Sequence, residues 1–107
     1  MNTHPLLEEL DAQDDIGVFR LLGGVMSTEA AQAVCRELSR LATETGRTRL
    51  HLDFGGVEYL GAPGLAEFLA LHAQLRAAGG GLRLCDAEGC VDLERLSDFP
   101  IGKGQVV

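Results

Sequence analysis

Apolar and polar positions change period several times along the chain, and each change marks an element. Ile16-Gly17-Val18-Phe19-Arg20-Leu21-Leu22 is an apolar run closed by Gly23-Gly24, which predicts a strand followed by a turn. After Ser27-Thr28, the residues Ala31, Val34, Cys35, Leu38, Leu41, Ala42 and Thr45 fall on one helical stripe. Gln32, Arg36, Glu37, Arg40 and Glu44 fall on the other, so an amphipathic helix with a hydroxyl cap is expected. Glu29 in its first turn suits the positive end of the helix dipole, Arg40 and Glu44 stand four apart and can pair, and Gly46 supplies the stop. Leu50, Leu52 and Phe54 alternate with Arg49, His51 and Asp53, the period of a second strand. From Leu65, apolar residues at Phe68, Leu69, Leu71, His72 and Leu75 return at helical spacing until Gly79-Gly80-Gly81 breaks the pattern. Gly81 to Asp86 reads as a third strand, and Val91 to Leu96 as a short last helix before Pro100. Two readings stand for the first dozen residues: Leu6, Leu7 and Leu10 fit a helical turn, while Asp14-Asp15 suits a hairpin. Residues 100–107 show no periodicity and are expected to fray.

Strand, helix, strand, helix, strand is a pair of βαβ units, and right-handed crossovers fold such units into a parallel-centred sheet with helices packed on it. The expected class is therefore α/β, in one domain spanning 1–107. Fourteen glycines fall mainly between the periodic segments, as turns require. Sixteen acidic against nine basic residues give a net charge of −7, which repels a polyanion and disfavours nucleic acid as a partner. No apolar run approaches the roughly 20 residues of a membrane span, and the first fifteen residues lack a basic start and an apolar signal core. A cytoplasmic location without membrane insertion is expected. Cys35, Cys85 and Cys90 cannot all pair, and the reading is of reduced thiols packed as small hydrophobes; none has a metal-binding motif around it.

Chemistry-bearing residues are sparse. His51 and His72 have no acidic residue placed to orient them as bases, and Asp53 has no nucleophile or second acid beside it, so it reads as a turn-maker. Gly61-Ala62-Pro63-Gly64 stands between a strand and a helix, where α/β folds usually meet ligands and partners, yet offers no hydroxyl, thiol or carboxylate. Three readings of it stand: a plain turn, a docking surface, and a phosphate cradle at the amides of Gly64 and Leu65. Glu58 and Glu67 disfavour the last. Docking is preferred, with Glu58, Tyr59, Leu60, Gly61, Ala62, Pro63 and Gly64 as the candidate partner-binding residues. Tyr59 is either an aromatic anchor for a partner or a plug for the sheet. No catalytic residue, cofactor or metal is expected, and the chain reads as non-enzymatic.

Leu52-Asp53-Phe54-Gly55-Gly56-Val57-Glu58-Tyr59-Leu60-Gly61-Ala62-Pro63-Gly64-Leu65, continuing through Leu71-His72 to Gly79-Gly80, resembles the STAS domain of anti-sigma factor antagonists and sulfate transporters. That resemblance implies a four- to five-stranded mixed sheet with helices packed mainly on one face, and makes residues 1–12 an edge strand. In the antagonists, the first serine of Asp-Ser-Ser-Gly is phosphorylated by a partner kinase that is also the anti-sigma factor, and phosphorylation breaks the complex. Carried over, the aspartate falls on Gly61, the phosphoacceptor serine on Ala62, the second serine on Pro63 and the glycine on Gly64. Ala62 has no oxygen to phosphorylate. The resemblance thus implies an anti-sigma factor antagonist-like interaction module that binds a serine-kinase-type anti-sigma factor, or a related signalling protein, without the switch. Two alternatives share the same scaffold: an accessory subunit of an ABC-type lipid transporter ATPase, and a nucleotide- or small-ligand-binding regulatory domain.

Overall fold

The chain runs through β1 (Leu7–Gln13), β2 (Ile16–Leu21), the two-residue β3 (Val25–Met26), α1 (Thr28–Thr45), β4 (Arg49–Asp53), the two-residue β5 (Tyr59–Leu60), α2 (Ala62–Ala77), β6 (Gly81–Asp86) and β7 (Gly89–Asp92). This is a computed structural model, and it describes residues 6–13, 15–86 and 89–92; the tail at 100–107 lies outside them. One five-stranded sheet has the order β1-β2-β4-β6-β7, and β3 pairs with β5 in a separate parallel ribbon. β2, β4 and β6 are mutually parallel, while β1 and β7 join the two edges antiparallel. The class is α/β, as the periodicity and the resemblance both imply, and the sheet is mixed, as the resemblance implies.

Period-2 alternation decides which face of the sheet is covered. Leu50 and Leu52 of β4 and Leu82 and Leu84 of β6 are buried in one cluster with Val34, Leu38 and Leu41 of α1 and Phe68, Leu71 and Leu75 of α2. Phe54 and Phe68 meet edge to face at 5.6 Å between centroids, joining the end of β4 to α2. Both helices lie on this face, clamped together by Gln74 Nε2 donating to Ser39 Oγ at 2.7 Å and Gln32 Nε2 to Glu67 at 3.3 Å.

Each helix is closed by local hydrogen bonds. Ser27 caps α1, its Oγ accepting the Ala30 N–H at 3.0 Å, and Gly46 closes α1 in the left-handed region at φ 77°. Ser27→Ala removes that acceptor and is expected to cost about 1 kcal/mol, read as a fall of about 4 °C in Tm by circular dichroism. At the end of α2, the Gly80 N–H donates to the Leu75 carbonyl and the Gly79 N–H to that of Arg76, with Gly79 at φ 91°: a Schellman closure.

Four sequence expectations are corrected. Val91 and Asp92 belong to β7, not to a helix, because Gly89 at φ 137° lets the chain reverse and pair with β6; residues 93–96 lie outside the described ones. α2 begins at Ala62 instead of Leu65, since the apolar stripe starts only where the helix first meets the core. Leu69, grouped with that stripe, is 40% exposed, because at 100° per residue it falls off the face defined by Phe68, Leu71, His72 and Leu75. Cys85 is disulfide-bonded, not a reduced thiol, and the antiparallel register sets Cys90 opposite it. Cys35 is a free, buried cysteine.

Candidate protein-binding surface

After β4 the chain needs to turn, and Asp53 makes the turn. Its Oδ1 accepts the Gly55 N–H at 2.8 Å, while Oδ2 lies 3.4 Å from Arg20 Nε, so this carboxylate is structural. Val57 N–H then donates to the Phe54 carbonyl at 2.9 Å, and the side chains of Val57 and Phe54 anchor the loop in the core. The Gly24 carbonyl accepts from the amides of Glu58 and Tyr59, which fastens this segment to the turn before β3. In the ribbon that results, Met26 pairs with Leu60 and Val25 with Tyr59. Period 2 sends the first pair inward and the second out: Met26 and Leu60 are buried, whereas Val25 is 70% and Tyr59 40% exposed.

Gly61, not Ala62, is the N-cap of α2, at φ −76° and ψ 163° and without a side-chain cap. Glycine is a fair residue at an N-cap. Ala62 and Pro63 open the first turn and are exposed. Proline loses nothing this early in a helix, because the first amides have no intrahelical acceptor. The Leu65 N–H donates to the Gly61 carbonyl at 2.9 Å, which removes it as a phosphate donor. Gly64 is buried where a methyl would meet Leu60 Cδ1 at 2.8 Å and Ala31 Cβ at 3.4 Å.

Seven residues singled out by sequence therefore divide. Glu58, Tyr59, Ala62 and Pro63 are exposed and Gly61 half-buried at one end of the molecule, whereas Leu60 and Gly64 point into the core and position the others. Tyr59 does not plug the sheet; its ring stands beside Gly61, where a Cβ would lie 3.6 Å from the phenol oxygen.

Sequence reasoning missed how far this surface extends. Ala62, Ala66, Leu69, Ala70, Ala73 and Ala77 all lie exposed along α2, an apolar stripe on the side away from the core. α2 is thus apolar on two opposite sides, with Glu67 and Gln74 between them where it meets α1. The outward side of α1 is the opposite: Arg40 pairs with both Glu37 and Glu44, hydrogen bonds that hold its guanidinium pKa above the usual value. The alanine spacing of i, i+4, i+8 and i+11 from Ala62 was visible in the sequence, but the inward stripe of larger residues masked it. Val25 gave no signal, since its exposure depends on the long-range pairing with Tyr59.

Between the helices lies an open groove of about 400 Å³, lined by Cys35, Ser39, Ala70, Leu71 and Gln74 among others. Burial, and then the nearby Glu67 carboxylate, push the Cys35 thiol up to about 12, so at neutral pH it stays protonated and poorly nucleophilic. His72 is buried with Nδ1 accepting the Leu82 N–H at 3.0 Å, a structural bond. Among the described residues no three His, Cys, Asp or Glu side chains cluster to hold a metal, and no helix is long and apolar enough to cross a membrane.

Fold and surface together define a small α/β domain that presents backbone and apolar side chains where a catalytic α/β protein places its reactive groups. The chain belongs to the STAS-domain family, whose family model matches residues 9–92. STAS domains are in general non-enzymatic modules that mediate protein–protein interactions. No curated protein matches the chain.

Proposed function

We propose that this chain is an anti-sigma factor antagonist-like binding module with no phosphorylation switch, engaging a serine-kinase-type anti-sigma factor or a related signalling protein. The observation that carries this reading is Ala62: exposed at the first position of α2, without a hydroxyl, and set among Tyr59, Pro63, Val25 and the alanine stripe. An apolar patch of this kind favours a macromolecular partner over a small polar substrate. Recognition is then the whole activity, and the chain is not an enzyme. Cytoplasmic action fits that partner; the bond at Cys85 would there be open to reduction, since disulfides persist mainly in oxidising compartments.

The test is to mix the purified chain with such a kinase, with and without ATP. The expected result is one complex under both conditions and no phosphate on the chain. Ala62→Ser, which restores an oxygen at this position, is expected to become phosphorylated and to leave the complex when ATP is added. Phosphate transfer to the unaltered chain with loss of the complex would overturn the reading.

A further inference from the structure

Cys85 stands on the face of the sheet that the helices leave open. Leu82 and Leu84 are buried beneath α1 and α2, so period 2 turns Arg83 and Cys85 to the opposite side, where Cys85 is half-buried. Register places it in one row that crosses the whole sheet: Glu8 pairs with Arg20, Arg20 with Asp53, Asp53 with Cys85, and Cys85 with Cys90. Side chains tie the first three, Arg20 lying 3.4 Å from both Glu8 and Asp53. At the other end of the row the tie is covalent, since Cys85 is disulfide-bonded, Cys35 is free, and Cys90 is the remaining cysteine of the sequence.

The strands at this bond are held unequally. β6 pairs with β4 as well as with β7, and the Cys85 carbonyl accepts the Phe54 N–H at 2.7 Å, which fastens this end of β6 to the end of β4. β7 is an edge strand of four residues whose one neighbour in the sheet is β6. So short an edge opens at little cost unless something besides its own ladder holds it. As a staple for the whole fold the bond is weak. Only Asp86-Ala87-Glu88-Gly89 separates the two cysteines, and a crosslink restrains the unfolded chain less when the loop it closes is shorter. Its effect is therefore concentrated on β7.

We propose that the Cys85–Cys90 disulfide is a reversible redox switch, which fixes β7 on the sheet when closed and loosens it when reduced. The co-reactant is a small-molecule thiol–disulfide couple. A reductant thiolate attacks one sulfur of the bond, the other sulfur leaves and takes up a proton, and a second reductant thiol resolves the mixed disulfide. The protein thereby gains two electrons and two protons while two reductant thiols become one disulfide, and oxidation runs in reverse. Half-exposure on the helix-free face gives the reductant access to Cys85. Cys35 does not compete, because it is buried among the helices on the other side of the sheet and its thiol stays protonated at neutral pH. Loosening β7 uncovers backbone N–H and C=O groups along β6, a row with which another strand can pair. Ala62 opens α2 in the helix layer, so this inference does not rest on the partner-binding reading.

The test equilibrates the full chain in buffers of reduced and oxidised glutathione at stepped ratios. Free thiols are trapped with iodoacetamide and located by mass spectrometry, and backbone hydrogen exchange is followed in parallel samples. Cys85 and Cys90 should gain and lose the label together in one reversible transition, with labelling of Cys35 unchanged. On reduction the amides of β7 should exchange about tenfold faster or more, while those of β2 and β4 keep their rates. Cys85→Ser and Cys90→Ser should each show the reduced-chain rate in β7 even in oxidising buffer, and Cys35→Ser should keep the transition. The inference is overturned by a bond that does not re-form, by one that resists reduction while the chain is folded, by equal exchange of β7 in both states, or by loss of protection across the whole sheet.

Discussion

Ala62→Glu is expected to release the bound partner, weakening the complex by about a hundredfold. The new carboxylate would be carried into an apolar contact without a counter-charge, a penalty of about 3 kcal/mol, and each 1.4 kcal/mol is a factor of ten. Stability should move the other way. A negative side chain in the first turn of α2 meets the positive end of the helix dipole and gains a few tenths of a kcal/mol, so Tm should hold or rise slightly. That combination separates lost recognition from lost folding. Leu69→Glu, two turns along the same exposed stripe, tests its length: if the partner covers α2 beyond its first turn, this variant should weaken the complex as well. Titration calorimetry with the kinase partner reads both. Unchanged affinity for Ala62→Glu would remove the loop from the interface, and unchanged affinity for Leu69→Glu alone would confine the interface to the loop.

Gly80→Ala should be the most damaging single methyl in the described part of the chain. A Cβ at this position would lie 2.0 Å from the Thr48 carbonyl oxygen and 2.3 Å from its carbon. Backbone cannot swing aside as a side-chain tip can, and the Gly81 N–H bond to that same Thr48 carbonyl would have to break or stretch. The expected loss is about 3 kcal/mol, at the upper end for overpacking, or a fall on the order of 12 °C in Tm. Two controls isolate the cause. Gly79→Ala meets no atom within 4 Å but must hold φ 91°, so it should cost only about 1 to 2 kcal/mol. Gly64→Ala presses on the tip of the Leu60 side chain, not on backbone, and should cost less than Gly80→Ala. Chemical denaturation ranks the three; a Gly80→Ala variant as stable as the others would contradict the close approach of the α2 turn to Thr48, just before β4.

Much of the architecture could be read along the chain because its cause is local. The stripe from Ala31 to Ala42 dictated α1 whatever it packed against, and Ser27 and Gly46 bounded it by capping and by left-handed backbone. Leu50, Leu52, Leu82 and Leu84 dictated two strands buried on one side. Errors arose where the cause was distant. Val91-Asp92 has no local preference strong enough to resist pairing with β6, and Leu69 could be assigned inward or outward only once α2 had a neighbour.

The candidate site divides in the same way. Its lack of reactive groups is a property of composition, complete in Gly61-Ala62-Pro63-Gly64 before any folding. Which of those residues reach solvent is not. Leu60 and Gly64 were turned inward by the β3–β5 ribbon and by contact with Ala31, and Val25 joined the surface only through its register with Tyr59.

By itself the sequence determined the order of elements, their caps and the blank chemistry of the loop, since each follows from interactions within a few residues. Only the tertiary structure decided that the outer side of α2 is an uncovered apolar stripe and that Arg49, Arg76 and Arg83 line one cleft. The first depends on which side of α2 the sheet and α1 cover, and the second on the register that sets β4 beside β6, neither of which is fixed by interactions within a few residues.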